Sequence, residues 1–144
     1  MSFKRFAWLI LGSLLAMSAA VVALVSVNLI GGTLASWLGF PPGGTGRLAW
    51  DLAWAIAGGT AAIATATYCA PAAPRRHALV CFAALSIAAV YAVAQLGGDF
   101  PSWFCAGLLL SLPLQGWLGM KWALKLKSPT IPPARPRYPR QDNA

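Results

Sequence analysis

The segment FAWLILGSLLAMSAAVVALVSVNLI, at residues 6–30, carries no charged side chain over its whole length. About 20 apolar residues in an α-helix cross a hydrocarbon core of roughly 30 Å. Because backbone amides and carbonyls find no water inside lipid, a run of this length is expected to be helical. The apolar character also continues well past the short core of a cleaved signal peptide. The segment therefore predicts an uncleaved membrane-spanning helix, and the alternative of cleavage would leave three spans.

Further apolar runs of similar length follow at residues 48–69, 77–96 and 103–124. Gly- and Pro-rich connections separate the four runs and mark turns, and the two shorter connections favour antiparallel neighbours. We therefore predict an all-α integral membrane protein, with four transmembrane helices packed as an antiparallel bundle in residues 1–124. Residues 125–144 are predicted to form a basic, Pro-rich, disordered cytoplasmic tail.

The composition agrees with a membrane protein. Of the 144 residues, 58% are hydrophobic and only 10% are charged, whereas about a quarter of the residues in a soluble domain are charged. The apolar content also excludes a largely disordered chain. Three cysteines are too few for a disulfide-dense scaffold.

The first connection, residues 31–47, is the longest of the three. It opens with Gly31-Gly32, which we interpret as the end of the first helix. Its apolar side chains, from Leu34 to Phe40, predict a segment that lies in the outer membrane–water interface. A re-entrant loop is the alternative for this segment.

The distribution of Lys and Arg predicts the orientation. Ten of the eleven cations flank one side of the four spans, and Arg47 alone flanks the other side. Because cytoplasmic loops carry the excess of Lys and Arg, both termini are predicted to be cytoplasmic, in the inner membrane of a bacterium. Tryptophans close to the span ends, including Trp50 and Trp54, are expected to act as anchors at the membrane boundary.

Small or polar residues recur every three or four positions on each predicted helix, a spacing that lets helix backbones approach closely in lipid. We expect each series to face the neighbouring helices of the bundle. The series are Gly12, Ala16 and Ala20 on the first helix; Gly58, Ala62 and Ala66 on the second; Cys81, Ala84 and Ala88 on the third; and Gly107, Ser111, Gln115 and Gly119 on the fourth.

Three polar residues near the outer span ends, Asn28, Asp51 and Gln95, are predicted to lie at a similar depth. One interpretation is a polar vestibule that binds a cation or a polar solute, with Asp51 as the charged ligand or as a proton acceptor. The alternative, which we favour, is that Asp51 caps the start of the second helix and forms an ion pair with Arg47.

Deeper in the bundle, Ser111 and Gln115 form a candidate intramembrane polar stripe. Such side chains can line a conduction path, but more often they form hydrogen bonds across helices and so stabilise the bundle. A proton-coupled pump needs an ionisable residue inside a span. The centres of the four predicted spans contain none, which argues against a pump.

The sequence contains no constellation that indicates catalysis. Its single histidine, His77, has no neighbouring carboxylate, and its three cysteines form no C-x-x-C pair. Motifs for phosphate binding, zinc hydrolysis and nucleophilic serine chemistry are missing. We therefore expect no enzyme activity, no metal and no cofactor.

Beyond residue 124 the chain is rich in Pro, Lys and Arg. Each cation near anionic headgroups contributes roughly 1 kcal/mol to membrane binding, so we predict a lipid-facing tail and no nucleic-acid partner. P-x-x-P spacings at Pro129–Pro132 and Pro136–Pro139 leave docking onto a partner protein as the alternative. The predicted lipid-facing cations are Lys125, Lys127, Arg135, Arg137 and Arg140.

In layout, the chain resembles the many small, Ala-rich four-helix inner-membrane proteins of bacteria that end in a basic tail. The resemblance rests on layout and not on a motif, so it implies no activity and transfers no functional residue. The leading hypothesis is a noncatalytic accessory or scaffold subunit that acts through helix contacts, with a membrane-protein partner or as a homo-oligomer. The alternative is a small transporter or channel for a polar solute or ion, which would use Asp51, Gln95 and Gln115.

Overall fold

A computed structural model describes residues 2–128 of the chain. Within this range the protein consists of four α-helices and one short 3₁₀ turn, and each of the four helices is long and apolar enough to cross a membrane. The all-helical prediction is confirmed, while the predicted tail cations Arg135, Arg137 and Arg140 lie outside the described residues. The elements are α1 (Phe3–Trp37), α2 (Thr45–Cys69), α3 (Pro74–Leu96), the 3₁₀ turn (Gly97–Asp99) and α4 (Ser102–Lys127).

The end of α1 was predicted wrongly. The helix does not stop at Gly31-Gly32 but continues to Trp37, so it contains 35 residues and is about 52 Å long. Gly31 is instead a contact point, because a side chain there would collide with Trp54 of α2. The true turn uses Gly39 and Gly43, whose φ angles are 74° and 77° and suit a residue without a Cβ. The residues from Leu34 to Trp37 therefore belong to α1 and do not form a re-entrant loop, while their position in the membrane interface stays a prediction.

Successive helices run antiparallel, as predicted. At one end of the bundle Gly12 of α1 lies beside Pro71, and at the other end Gly31 lies beside Trp54. The sequence did not indicate that α2 also packs along its parallel neighbour α4, an interface as extensive as the one between α1 and α2. Gly107 of α4 lies beside Leu52 near the start of α2, which fixes the parallel direction. Helix α2 is therefore the centre of the fold.

Helix α3 packs against α2 and α4 through a smaller interface, and it meets α1 only briefly. Its predicted small-residue face is mostly wrong. Cys81 is buried, but Ala84 and Ala88 are exposed on the outside of the bundle. Ala78 and Cys81 belong to the buried core cluster, and the larger side chains of Phe82 and Leu85 pack against it.

The interior of the bundle contains small residues, and the exterior contains large apolar ones. Ala20, Ala62, Ala66 and Ala78 are almost fully buried, with Ile63 as the largest core side chain. In a water-soluble bundle the large apolar residues fill the core, whereas helices in lipid use small residues to approach one another. Exposed apolar side chains occur on every helix, among them Trp8, Leu29, Tyr68, Leu79, Ile87, Leu110 and Trp117.

Candidate functional site

The middle of the interface between α2 and α4 contains the predicted polar stripe. Gln115 is 3% exposed and Ser111 is 8% exposed. The Gln115 side-chain amide donates a hydrogen bond of 2.9 Å to Ser111 Oγ, and Ser111 in turn donates to the Leu108 carbonyl at 2.8 Å. Both partners belong to α4. The expected hydrogen bonds across helices are therefore not the ones these two side chains form.

Glycine on both helices lets α2 and α4 approach closely around this pair. A Cβ at Gly59 of α2 would collide with the side-chain amide of Gln115. A Cβ at Gly119 of α4 would lie 2.7 Å from the Thr60 carbonyl oxygen and 2.9 Å from Ile63 Cβ, both closer than atoms can pack. The middle of the bundle is therefore held by tight packing, with the amide of Gln115 enclosed in it.

At the predicted outer end, Asp51 forms the expected pair with Arg47. The Arg47 Nε lies 3.0 Å from both carboxylate oxygens, and the two side chains are 19% and 37% exposed. The expectation that Asp51 caps α2 is wrong, because the helix begins at Thr45 and Asp51 lies in its second turn. The carboxylate is thus stabilised by the side chain one turn earlier rather than by free backbone amides.

The other two residues of the predicted vestibule have separate environments. The Asn28 side chain donates to the Leu24 carbonyl of its own helix at 2.8 Å and fits against Gly58. Gln95 is exposed near the end of α3. Within residues 2–128, no hydrogen bond joins Asn28, Asp51 and Gln95 to one another. A solute site at these residues stays a prediction.

Trp50 and Trp54 contribute to the contact between α1 and α2. Both rings are partly buried, and the Trp50 Nε1–H donates a hydrogen bond of 2.8 Å to the Gly31 carbonyl of α1. The Trp50 ring also lies 5.7 Å from the Phe40 ring and 6.0 Å from the Trp54 ring. These tryptophans were expected to be boundary anchors. Their four-residue spacing, which places both rings on one helix face, was the available signal for this packing role.

At the opposite end of the bundle, two side chains form further hydrogen bonds to other helices or to the residue that follows a helix. The imidazole Nε2 of His77, on α3, lies 3.0 Å from Ser13 Oγ of α1. The Lys127 ammonium, in the last turn of α4, donates to the carbonyls of Tyr68 and Ala70 at 3.2 and 3.0 Å. Lys125 and Lys127 both belong to α4, so the helix extends beyond the predicted boundary at residue 124. The contact of Lys127 with the end of α2 was not foreseen.

In the described part of the chain, side-chain hydrogen bonds between α-helices therefore lie at the two ends of the bundle, and the middle is packed without them. The same residues contain no group of three or more His, Cys, Asp or Glu side chains that could hold a metal ion. Comparison with protein-family models, with curated proteins and with solved structures finds no match to this chain.

Proposed function

We propose that the protein spans the inner membrane of a bacterium four times, with both termini in the cytoplasm. Four helices of sufficient length and the large apolar side chains on their outer surface support insertion. The cations support the orientation. Lys4, Arg5, Arg75 and Arg76, together with the lysines at the end of α4, lie at the end of the bundle that contains the His77 and Lys127 contacts.

Within that membrane, the protein acts as a noncatalytic accessory or scaffold subunit through lateral helix contacts. The main support for this proposal is the outer face of α3, where Ala84 and Ala88 are exposed although both belong to the small-residue series that was expected to face the interior. Small residues on a lipid-facing surface allow another helix to approach closely. The side chains of Asp51, His77 and Gln115, in contrast, already have partners in this chain.

Site-specific crosslinking in native membranes tests the proposal. The three native cysteines are replaced by alanine, and one cysteine is introduced at Ala88 on α3 or, as a control, at Val22 on α1, a larger residue that is also exposed in mid-helix. We expect Ala88→Cys to give a defined adduct, either with a second copy or with another membrane protein, and Val22→Cys to give none. A chain that remains an uncrosslinked monomer with both variants would contradict the scaffold role.

Reconstitution into vesicles separates this role from transport. The scaffold proposal predicts no solute or ion flux above that of empty vesicles. A flux that falls on Gln115→Leu or Asp51→Asn would replace it with a small channel or transporter.

A further inference from the structure

A shallow apolar groove of about 210 Å³ lies between α3 and α4 on the outer surface of the bundle. Its floor is formed where Gly116 of α4 approaches the Phe82 ring, so closely that a Cβ at Gly116 would lie 3.0 Å from a ring carbon. The groove presents almost exclusively carbon atoms to its surroundings. Its principal lining residues are Leu79 and Phe82 of α3 and Pro113, Gly116, Trp117 and Met120 of α4.

One end of the groove opens among cations. Lys121 follows Trp117 by one turn, and its ammonium lies 4.5 Å from the centroid of that indole ring, a cation–π contact that holds the charge beside the groove. Arg75 is exposed and precedes Leu79 by one turn on α3, so it lies on the same helix face. The described carboxylates, Asp51 and Asp99, lie in α2 and the 3₁₀ turn at the opposite end of the bundle, so none of them neutralises this mouth.

We propose that this groove binds one anionic phospholipid, with an acyl chain along Phe82 and Trp117 and the headgroup phosphate at Lys121 and Arg75. The inference rests on the proposed membrane insertion and goes beyond it by assigning a ligand. The charge at the mouth complements a phosphate, and the apolar walls complement an acyl chain. In the proposed orientation the headgroup belongs to the cytoplasmic leaflet, where anionic lipids attract basic side chains.

A lipid fits this groove better than a helix of another chain. Helices pack closely where both surfaces carry small residues, whereas large side chains such as Leu79, Trp117 and Met120 border this groove. A helix laid across its mouth would also cover Lys121 and Arg75 and remove both cations from water, which is costly without counter-charges. A flexible acyl chain conforms to the irregular walls and leaves the cations at the membrane surface.

Lipid binding to the purified full-length chain in detergent micelles tests the proposal, with native mass spectrometry as the readout. The probes are dioleoylphosphatidylglycerol and dioleoylphosphatidylcholine. We expect the wild-type chain to prefer the anionic lipid. Lys121→Gln should lower the affinity for phosphatidylglycerol by about fivefold, the equivalent of one lost cation. Lys4→Gln, which removes an exposed cation of α1, a helix that does not line the groove, should leave that affinity unchanged.

A second pair of variants tests the apolar part of the site. Leu79 and Val80 are adjacent on α3 and are 60% and 59% exposed, but only Leu79 lines the groove. Leu79→Trp should fill the groove and weaken both lipids by about tenfold, the equivalent of about two methylenes withdrawn from apolar contact. Val80→Trp should have no effect, and it reports any general cost of adding an indole to this helix.

Equal affinities for the two lipids, or equal effects of the paired variants, would overturn the proposal. Loss of a dimer rather than of a lipid adduct on Leu79→Trp would identify a second copy as the occupant and would also overturn it. Lipid binding to the purified chain depends neither on partner proteins nor on the orientation of the chain in the membrane. A chain that stays in the membrane fraction but binds no phosphatidylglycerol therefore contradicts the lipid site alone, whereas a chain found in the soluble fraction contradicts membrane insertion as well.

Discussion

Helices α2 and α3 have similar lengths and similar small-residue series, yet α2 lies at the centre of the bundle and α3 lies at its periphery. Eight residues of α2 are buried, including Gly58, Gly59 and Ala66, whereas only Ala78 and Cys81 are buried on α3. Helix α2 carries small residues on two adjacent faces and so accommodates a neighbour on each side. Gly58 fits against Asn28 of α1, and Gly59 fits against Gln115 of α4.

In this bundle, a series of small residues brings a helix into the interior only where a neighbouring helix presents a complementary surface. On α3 only Ala78 and Cys81 belong to the buried core cluster, and the larger side chains of Phe82 and Leu85 pack against that cluster beside them. The exposed alanines of α3 then remain available for contacts outside the chain, whereas the glycines of α2 are required for the fold itself.

The largest expected change in the free energy of unfolding comes from a substitution on α2, and a matching substitution on α3 serves as its control. Gly59→Leu should destabilise the bundle by about 3 kcal/mol, because the new side chain collides with the buried amide of Gln115. Ala84→Leu adds a similar bulk to the exposed face of α3 and should change the free energy of unfolding by less than about 0.5 kcal/mol. Unfolding in mixed micelles with increasing dodecyl sulfate, followed by circular dichroism, measures both. Equal losses would remove the distinction between the two helices.

A smaller effect is expected at the end of α2 that meets Lys127. Lys127→Met keeps the apolar stem but removes the ammonium that donates to the carbonyls of Tyr68 and Ala70. The free energy of unfolding should fall by about 1.5 kcal/mol, as for a hydrogen bond from a charged donor. Hydrogen exchange should accelerate in the last turn of α2. Lys125→Met, exposed in the same turn of α4, is the control. Matching losses from the two variants would argue for a general effect of charge.

Removal of the hydrogen bond at the other end of α2 should cost somewhat less. Trp50→Phe retains an aromatic ring beside Phe40 and Trp54 but lacks the N–H that donates to the Gly31 carbonyl. We expect the free energy of unfolding to fall by about 1 kcal/mol in the same unfolding assay. Trp103→Phe on the exposed start of α4 should be almost neutral, and a larger loss there would indicate that anchoring matters more than the contact between helices.

The smallest effect is expected at the ion pair of α2. Asp51→Asn should destabilise the bundle by about 0.5 kcal/mol, because Arg47 and Asp51 form a partly exposed pair within one helix. The unfolding assay at low and at high salt measures the difference, which should shrink as salt screens the wild-type pair. A loss of several kcal/mol that salt does not reduce would show that Asp51 has a further partner in the folded protein.

The four helices could be predicted because their length and apolarity are local properties of the sequence. The position of α3 could not, since apolar side chains surround it on all sides and no periodicity marks the inner face. The extension of α1 to Trp37 was missed because Gly31, a typical terminator in water, here permits the approach of Trp54. In membrane-type helices a glycine can mark a contact as readily as an end.

The polar contacts likewise divide into those that the sequence predicts and those that only the packing of the helices shows. The pair of Arg47 and Asp51 follows from a four-residue spacing on one helix. Trp50 and Lys127 instead donate to backbone carbonyls of other helices. Because every residue has a backbone carbonyl group, the sequence does not indicate which carbonyl accepts the hydrogen bond. Only the packing of α1 and α4 on α2 identifies these partners.

Labelling of single cysteines with a membrane-impermeant maleimide in intact cells tests the four-pass arrangement most directly. In a chain without native cysteines, the exposed positions Ser2, Pro42, Ala72 and Gly98 each receive one cysteine in turn. We expect labelling of Pro42→Cys and Gly98→Cys in intact cells, and labelling of Ser2→Cys and Ala72→Cys only after permeabilisation. Labelling of Ser2→Cys or Ala72→Cys in intact cells, or equal labelling of all four, would contradict the four-pass arrangement.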